Sequence, residues 1–215
     1  MAQELTKEWS LGYIIEHWTR VIAIAVLTFT RFYIYHPFIA GGAEGFIMAW
    51  MRFFHFIAAY VLVLGLVVRV YMAFRSTFAA DWQDFGIIRN IKNLPDILGY
   101  YLFIKGSHKD YRRYNPLQVL AYLGVAAVII ITALTGWALY HGSVFGFIKA
   151  PDSFLWVHTL LGGESVTRIV HILSMWFFII FVMIHVYMTI MTTMVNKDRT
   201  FTSMLTGYKL KKFPK

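Results

Sequence analysis

Cysteine is absent from this chain. Its absence excludes disulfides, thiolate zinc sites and iron–sulfur clusters held by the chain itself. Any redox cofactor must therefore be held by histidine or methionine, or sit on a partner. Charge is also scarce. Asp, Glu, Lys and Arg make up 14% of the 215 residues, about half the share of an ordinary soluble domain, and 59% of the residues are hydrophobic. With a mean hydropathy of +0.59, this is the composition of an integral membrane protein. There is no nucleic-acid motif and no tandem repeat. Residues 1–10 are polar and carry Glu4 and Glu8, so they do not read as a cleavable signal; the first apolar run is expected to direct insertion.

The last hydrophobic run, 169–196, has 28 residues without Asp, Glu, Lys or Arg, enough for a helix to cross a bilayer of ~30 Å with some tilt. Three further apolar runs precede it, so spans are expected at 12–35, 46–73, 116–140 and 169–194. Pro37 and Gly41-Gly42 close the first, and Pro116 is a good first helical residue for the third. The fold expected is all-α: one membrane domain over residues 1–215, built as a four-helix bundle. Residues 74–115 form a polar connection in which 81–91 can lie on the membrane surface as an amphipathic helix. Residues 141–167 form the last loop.

Four crossings put both termini on one side, and basic residues identify that side. The N-terminal segment, the 74–115 connection with Arg69 at its edge, and the tail hold 2, 8 and 6 of the 20 Lys and Arg; the other two loops and their flanks hold the remaining 4. By the positive-inside rule both termini are cytoplasmic, the 74–115 loop is cytoplasmic and the 141–167 loop is outside.

Four histidines fall inside the spans: His17, His55, His171 and His185. His171 and His185 are 14 residues apart on one helix, which returns them to within roughly 40° of the same direction, about 21 Å apart along the axis. With this topology His17 and His185 share an inner layer, and His55 and His171 an outer one. Each pair can supply two axial nitrogens to a haem iron, which suits a six-coordinate b-type haem; c-type attachment needs cysteine, and zinc or copper usually needs a third or fourth ligand. The simpler reading is that the imidazoles hydrogen-bond between helices.

The interval of 14 recurs from His17 to Arg31 and from His55 to Arg69, while Arg52 and Arg168 each precede a histidine by three residues. Arg52, Arg69, Arg168 and Arg20 are candidates to pair with haem propionates, with Arg31 at the outer layer. Gly124 and Gly136 suit a helix against which a flat macrocycle leans. His36, His108, His141 and His158 are expected to be solvated loop residues.

These residues resemble the b-type cytochrome subunit of membrane-bound nickel–iron hydrogenases, within a wider group that includes the gamma subunit of respiratory formate dehydrogenases. The likeness runs through Glu16-His17-Trp18-Thr19-Arg20, Arg52-Phe53-Phe54-His55-Phe56, Arg69-Val70-Tyr71, Tyr114-Asn115-Pro116-Leu117-Gln118, Leu134-Thr135-Gly136, Arg168 to His171 and His185-Val186-Tyr187. The tail, Ser203-Met204-Leu205-Thr206-Gly207-Tyr208-Lys209, resembles the hydrogenase branch in particular.

The resemblance implies two haems b, with His55 and His171 on the outer iron and His17 and His185 on the inner. It implies hydrogenase small and large subunits on the outer face of a bacterial cytoplasmic membrane. It also implies a quinone, menaquinone or ubiquinone, near the inner haem, with Asn115 and Gln118 as candidate contacts. The chain would carry electrons from hydrogenase to quinone and hold no hydrogen-splitting centre of its own. The same module serving a formate dehydrogenase or a sulfur-compound reductase is an alternative, and a non-redox membrane anchor is another of a different class. One position departs from the family pattern: Thr30-Arg31 stands where a threonine–glycine pair is usual, so the outer site is expected to be crowded.

Overall fold

The computed structural model describes residues 3–39, 45–75, 92–102, 104–105 and 115–212. Strand β1, Gln3–Lys7, leads into helix α1, Leu11–Tyr35, and α2 is Phe46–Arg75. A short helix, α3, occupies Leu94–Tyr101, followed by α4, Pro116–Ala138. Then come strands β2, Ser143–Val144, and β3, Ile148–Lys149, and short helices α5, Ala150–Ser153, and α6, Leu155–Leu161. Helix α7 is Glu164–Asn196, α8 is Thr200–Thr206, and strand β4 is Tyr208–Lys212.

Helices α1, α2, α4 and α7 are each long and apolar enough to cross a membrane. Their packing is inverted relative to a water-soluble bundle. Only 11–17% of each helix's most apolar window is buried within the chain, which leaves the remaining apolar surface for lipid or partner helices. Helix α1 packs on α2, α4 on α7, α2 on α4, and α1 on α7. Ala23, Leu62, Val125, Ile129 and Phe178, one or two from each spanning helix, meet in a buried apolar core.

The helix ends follow local chemistry. Pro116 occupies the first position of α4, where its missing N–H costs nothing, and Asn115 caps it. Gly162 and Gly163, with φ of 89° and 123°, turn the chain from α6 into α7. The first three spans match expectation closely. The fourth starts earlier, at Glu164 rather than 169, because an Arg168–Glu164 pair at 2.5 Å carries the helix through a polar first turn.

Other expectations are corrected. Residues 141–167 are not a plain loop: they hold the β2–β3 hairpin, α5 and α6. His158 is not a solvated residue. Its Nε2–H donates to the Ala138 carbonyl at 2.9 Å and its Nδ1 meets the Thr167 hydroxyl at 2.8 Å, tying the end of α4 to the start of α7. Helix α3, whose Ile97 is fully buried, lies in the polar connection and packs on α4. The surface helix expected at 81–91, Gly41-Gly42 and His108 lie outside the described residues.

The two ends of the chain are joined. Strands β1 and β4 pair antiparallel, from Gln3 opposite Lys212 to Lys7 opposite Tyr208. The Glu8 and Trp9 N–H groups both donate to the Gly207 carbonyl, at 2.8 and 3.1 Å. The Trp9 indole donates to Ser203 Oγ at 3.2 Å and the Trp18 indole to the Met204 carbonyl at 2.9 Å. The tail motif is thus a clasp on the first residues of the chain. Gly207 sits at φ 81°, and a Cβ there would come within 3.0 Å of the Trp9 carbonyl oxygen. Gly207→Ala is therefore expected to cost about 1–3 kcal/mol. A thermal melt of the detergent-solubilised protein reads this, and an unchanged midpoint would mean that the tail does not close on the N-terminus.

Candidate functional site

Helix α7 contributes one histidine to each of two layers. His185 faces His17 of α1 with ring centroids 6.3 Å apart, and His171 faces His55 of α2 at 6.4 Å. The first pair lies toward the termini and the second on the far side. A metal–imidazole bond is about 2 Å, and its nitrogen lies about 1.1 Å from the ring centre, so two trans imidazoles on one metal put their centroids roughly 6.2 Å apart. Both pairs match that separation.

The far-side layer also has supports that aim its rings. Thr30 Oγ1 lies 2.8 Å from His55 Nδ1, and Thr135 Oγ1 lies 3.0 Å from His171 Nδ1. Each hydroxyl proton is already directed to a carbonyl one turn back, Val26 at 2.7 Å and Ile131 at 2.7 Å. Each threonine oxygen therefore accepts from the imidazole Nδ1–H, which leaves Nε2 as the free acceptor. Thr30 and Thr135 are almost completely buried. Both sit in the sequence motifs noted above, but no role attached to them there. The available signal was a threonine inside an apolar span, whose hydroxyl needs an acceptor in its own helix and can accept one more hydrogen bond.

A cavity of about 860 Å³ adjoins this layer, within the range of roughly 300–1,000 Å³ typical of cofactor sites. His55, His171, Gly136, Arg31, Arg52 and Arg168 are in its wall, and among the described residues that line it there is no Asp or Glu. Arg31 leaves the space open, its guanidinium lying over the Tyr35 ring at 5.3 Å. Gly136 is required: a Cβ there would meet His171 Cε1 at 3.0 Å. At Gly124 a Cβ would meet nothing within 4 Å, so close approach does not explain that glycine.

The terminal-side layer is built differently. The Phe181 ring stacks on His185 at 5.7 Å, and Trp18 stands edge-on to His17 at 5.5 Å. His17 Nδ1 is buried without a hydrogen-bond partner. Arg20 pairs with Glu16 one turn back, and its Nε is buried without a partner. Arg69 donates to the Tyr13 hydroxyl at 3.3 Å and lies over that ring at 4.8 Å.

Asn115 and Gln118 come together, but on each other. Asn115 Oδ1 accepts from the Gln118 N–H at 2.8 Å, and Gln118 Oε1 accepts from the Asn115 N–H at 3.0 Å, a capping box at the start of α4. Asn115 Nδ2 donates to the Tyr101 hydroxyl at 3.4 Å. Burial pushes the Tyr101 phenol above its ordinary range, and this hydrogen bond partly offsets the shift. Asn115 is buried and Gln118 exposed. Among the described residues no hydrogen bond joins either amide to His17 or His185.

No group of three or more His, Asp or Glu able to hold a metal ion occurs among the described residues. Each layer thus offers two nitrogens and no more. That set suits a metal whose other positions are filled by a macrocycle, and the ring separations, the free far-side Nε2 atoms and the room Gly136 leaves for the His171 ring fit one.

Residues 8–207 match the family described as prokaryotic cytochrome b561. A protein of Azotobacter vinelandii described as a probable Ni/Fe-hydrogenase B-type cytochrome subunit is 32% identical, with 97% of this chain and 92% of that one covered. One of the same description from Cupriavidus necator is 31% identical, with 90% and 82% covered. A probable Ni/Fe-hydrogenase 1 B-type cytochrome subunit of Escherichia coli K12 is 30% identical, with 93% and 88% covered.

The threonines make a direct prediction. Thr30→Val or Thr135→Val removes the acceptor behind one imidazole and should weaken haem binding at the far-side layer about ten- to a hundredfold, whereas Thr135→Ser should retain it. Haem per purified chain is the measurement; full occupancy in a Thr30→Val, Thr135→Val double variant during haem titration would refute the orienting role.

Proposed function

The chain belongs to the prokaryotic cytochrome b561 family, and from that premise we propose that it is the b-type cytochrome subunit of a membrane-bound hydrogenase, holding two haems and passing electrons from hydrogenase to quinone. The observation that carries the di-haem reading is the pair of imidazole layers at 6.3 and 6.4 Å. Histidines that merely linked helices would have no reason to keep their rings at the separation of two ligands on one metal. The names of the relatives favour hydrogenase over formate dehydrogenase or a sulfur-compound reductase as the partner.

Bound haem would supply one-electron chemistry at each layer, and the chain's task is to position it and exclude water. His55 and His171 would hold the outer haem, His17 and His185 the inner. Arg52 and Arg168 would receive the outer propionates, Arg20 and Arg69 the inner. The apolar core around Leu62, Ile129 and Phe178 keeps water from the space between the layers. In this reading both termini and the 74–115 loop are in the cytoplasm of a bacterium, and the subunit spans its inner membrane. The hydrogenase small and large subunits then dock on the outer face, beside the far-side layer. Inward electron movement, with protons released outside by hydrogen oxidation and taken up inside by the quinone, would build a membrane potential.

Quinone binding is proposed at Asn115 and Gln118. The capping box occupies both amide oxygens as acceptors, so the exposed Gln118 Nε2 keeps its N–H donors for a quinone carbonyl, which needs donors.

Two predictions follow from these assignments. The purified complex should give about two b haems per chain in a pyridine haemochrome assay. His171→Ala and His185→Ala should each lose one haem and abolish hydrogen-to-quinone activity while hydrogen oxidation by a soluble dye survives. Normal quinone reduction in either variant contradicts the assignment. For the quinone site, Asn115→Ala should cost about 1 kcal/mol of stability, with Asn115→Ser restoring it. Gln118→Glu keeps the capping oxygen but removes the amide donors, and should raise the quinone KM severalfold with both haems in place. An unchanged KM rules the binding role out.

A further inference from the structure

The far-side cavity is lined by three fixed cations. Arg31, Arg52 and Arg168 line it, and among the described residues that line it none is acidic. Among the described residues only Arg168 of the three meets a carboxylate, Glu164 at 2.5 Å. Arg31 faces an aromatic ring instead: its guanidinium lies 5.3 Å from the centre of Tyr35, a neutral side chain that leaves the charge uncancelled. Arg31 is half-buried, at the same cavity wall as both far-side imidazoles. Arg52 and Arg168 each lie three residues, about one helical turn, from the histidine they accompany, as a propionate partner should. Arg31 comes from α1, which supplies no axial histidine to this layer.

We propose that Arg31 is a potential-setting residue, a fixed cation that raises the reduction potential of the haem held by His55 and His171. This rests on the reading that a haem occupies that layer. Adding one electron lowers the charge at the iron by one. A fixed positive charge at the wall favours that change, and in a partly dry cavity at an effective dielectric near 20 the effect is several times larger than in water. Arg31→Gln keeps most of the side-chain volume and removes the charge. It is expected to lower the equilibrium constant for reduction of that one haem about tenfold, a fall of about 59 mV for a one-electron couple.

The test is a spectroelectrochemical titration of the purified, full-length complex as wild type, Arg31→Gln and Arg31→Lys, with haem per chain measured on each sample. The expected result is two haems in all three, one midpoint potential lowered in Arg31→Gln and restored in Arg31→Lys, and the other potential unmoved. Two retained haems with both potentials unchanged in Arg31→Gln would overturn the proposal. So would an Arg31→Lys potential as low as that of Arg31→Gln, which would assign the effect to packing. Loss of one haem in Arg31→Gln would make the residue an anchor and overturn the tuning role. Fewer than two haems in the wild type overturns the di-haem reading and this inference with it, so the two failures are told apart by the wild-type haem count.

Discussion

An imidazole placed in hydrocarbon must have something on its nitrogens, and the arrangement of this chain depends on that constraint. Leaving such a polar group unsatisfied costs several kcal/mol, so four of them in three apolar helices cannot be neutral decoration. Helix α7 is the common member of both layers, with His171 and His185 14 residues apart and therefore facing nearly the same way. Helices α1 and α2 bring His17 and His55 to meet them at different depths. Between the layers the bundle closes with apolar residues from all four helices, Ala23, Ile129 and Phe178 among them. The polar levels and the dry level are thus set by one helix, and the other three conform to it.

Much of the fold was legible in the sequence because the strongest signals were long and apolar. Uninterrupted hydrophobic runs identified α1, α2 and α4 to within two residues at each end. The start of α7 was missed because Glu164, Thr167 and Arg168 read as loop, although an ion pair one turn apart is itself a helical signal. The β1–β4 clasp was invisible for a different reason. Its pairing joins residues about 200 apart, and neither strand has the length or alternation that marks a strand locally. The hairpin and short helices within 141–167 are likewise too brief to leave a periodic pattern.

The site was legible to the same depth. Histidine positions and intervals revealed the two layers, because ionisable residues in a span are conspicuous. What supports them was not, because a threonine in an apolar helix usually satisfies itself on a carbonyl one turn back. Thr30 and Thr135 do that and also accept from an imidazole, a second bond that only the neighbouring helix reveals. Asn115 and Gln118 show the converse. Asn-Pro followed by Gln three residues on is a capping signature as well as the amide pair proposed to bind quinone, and the structure assigns the oxygens to the cap.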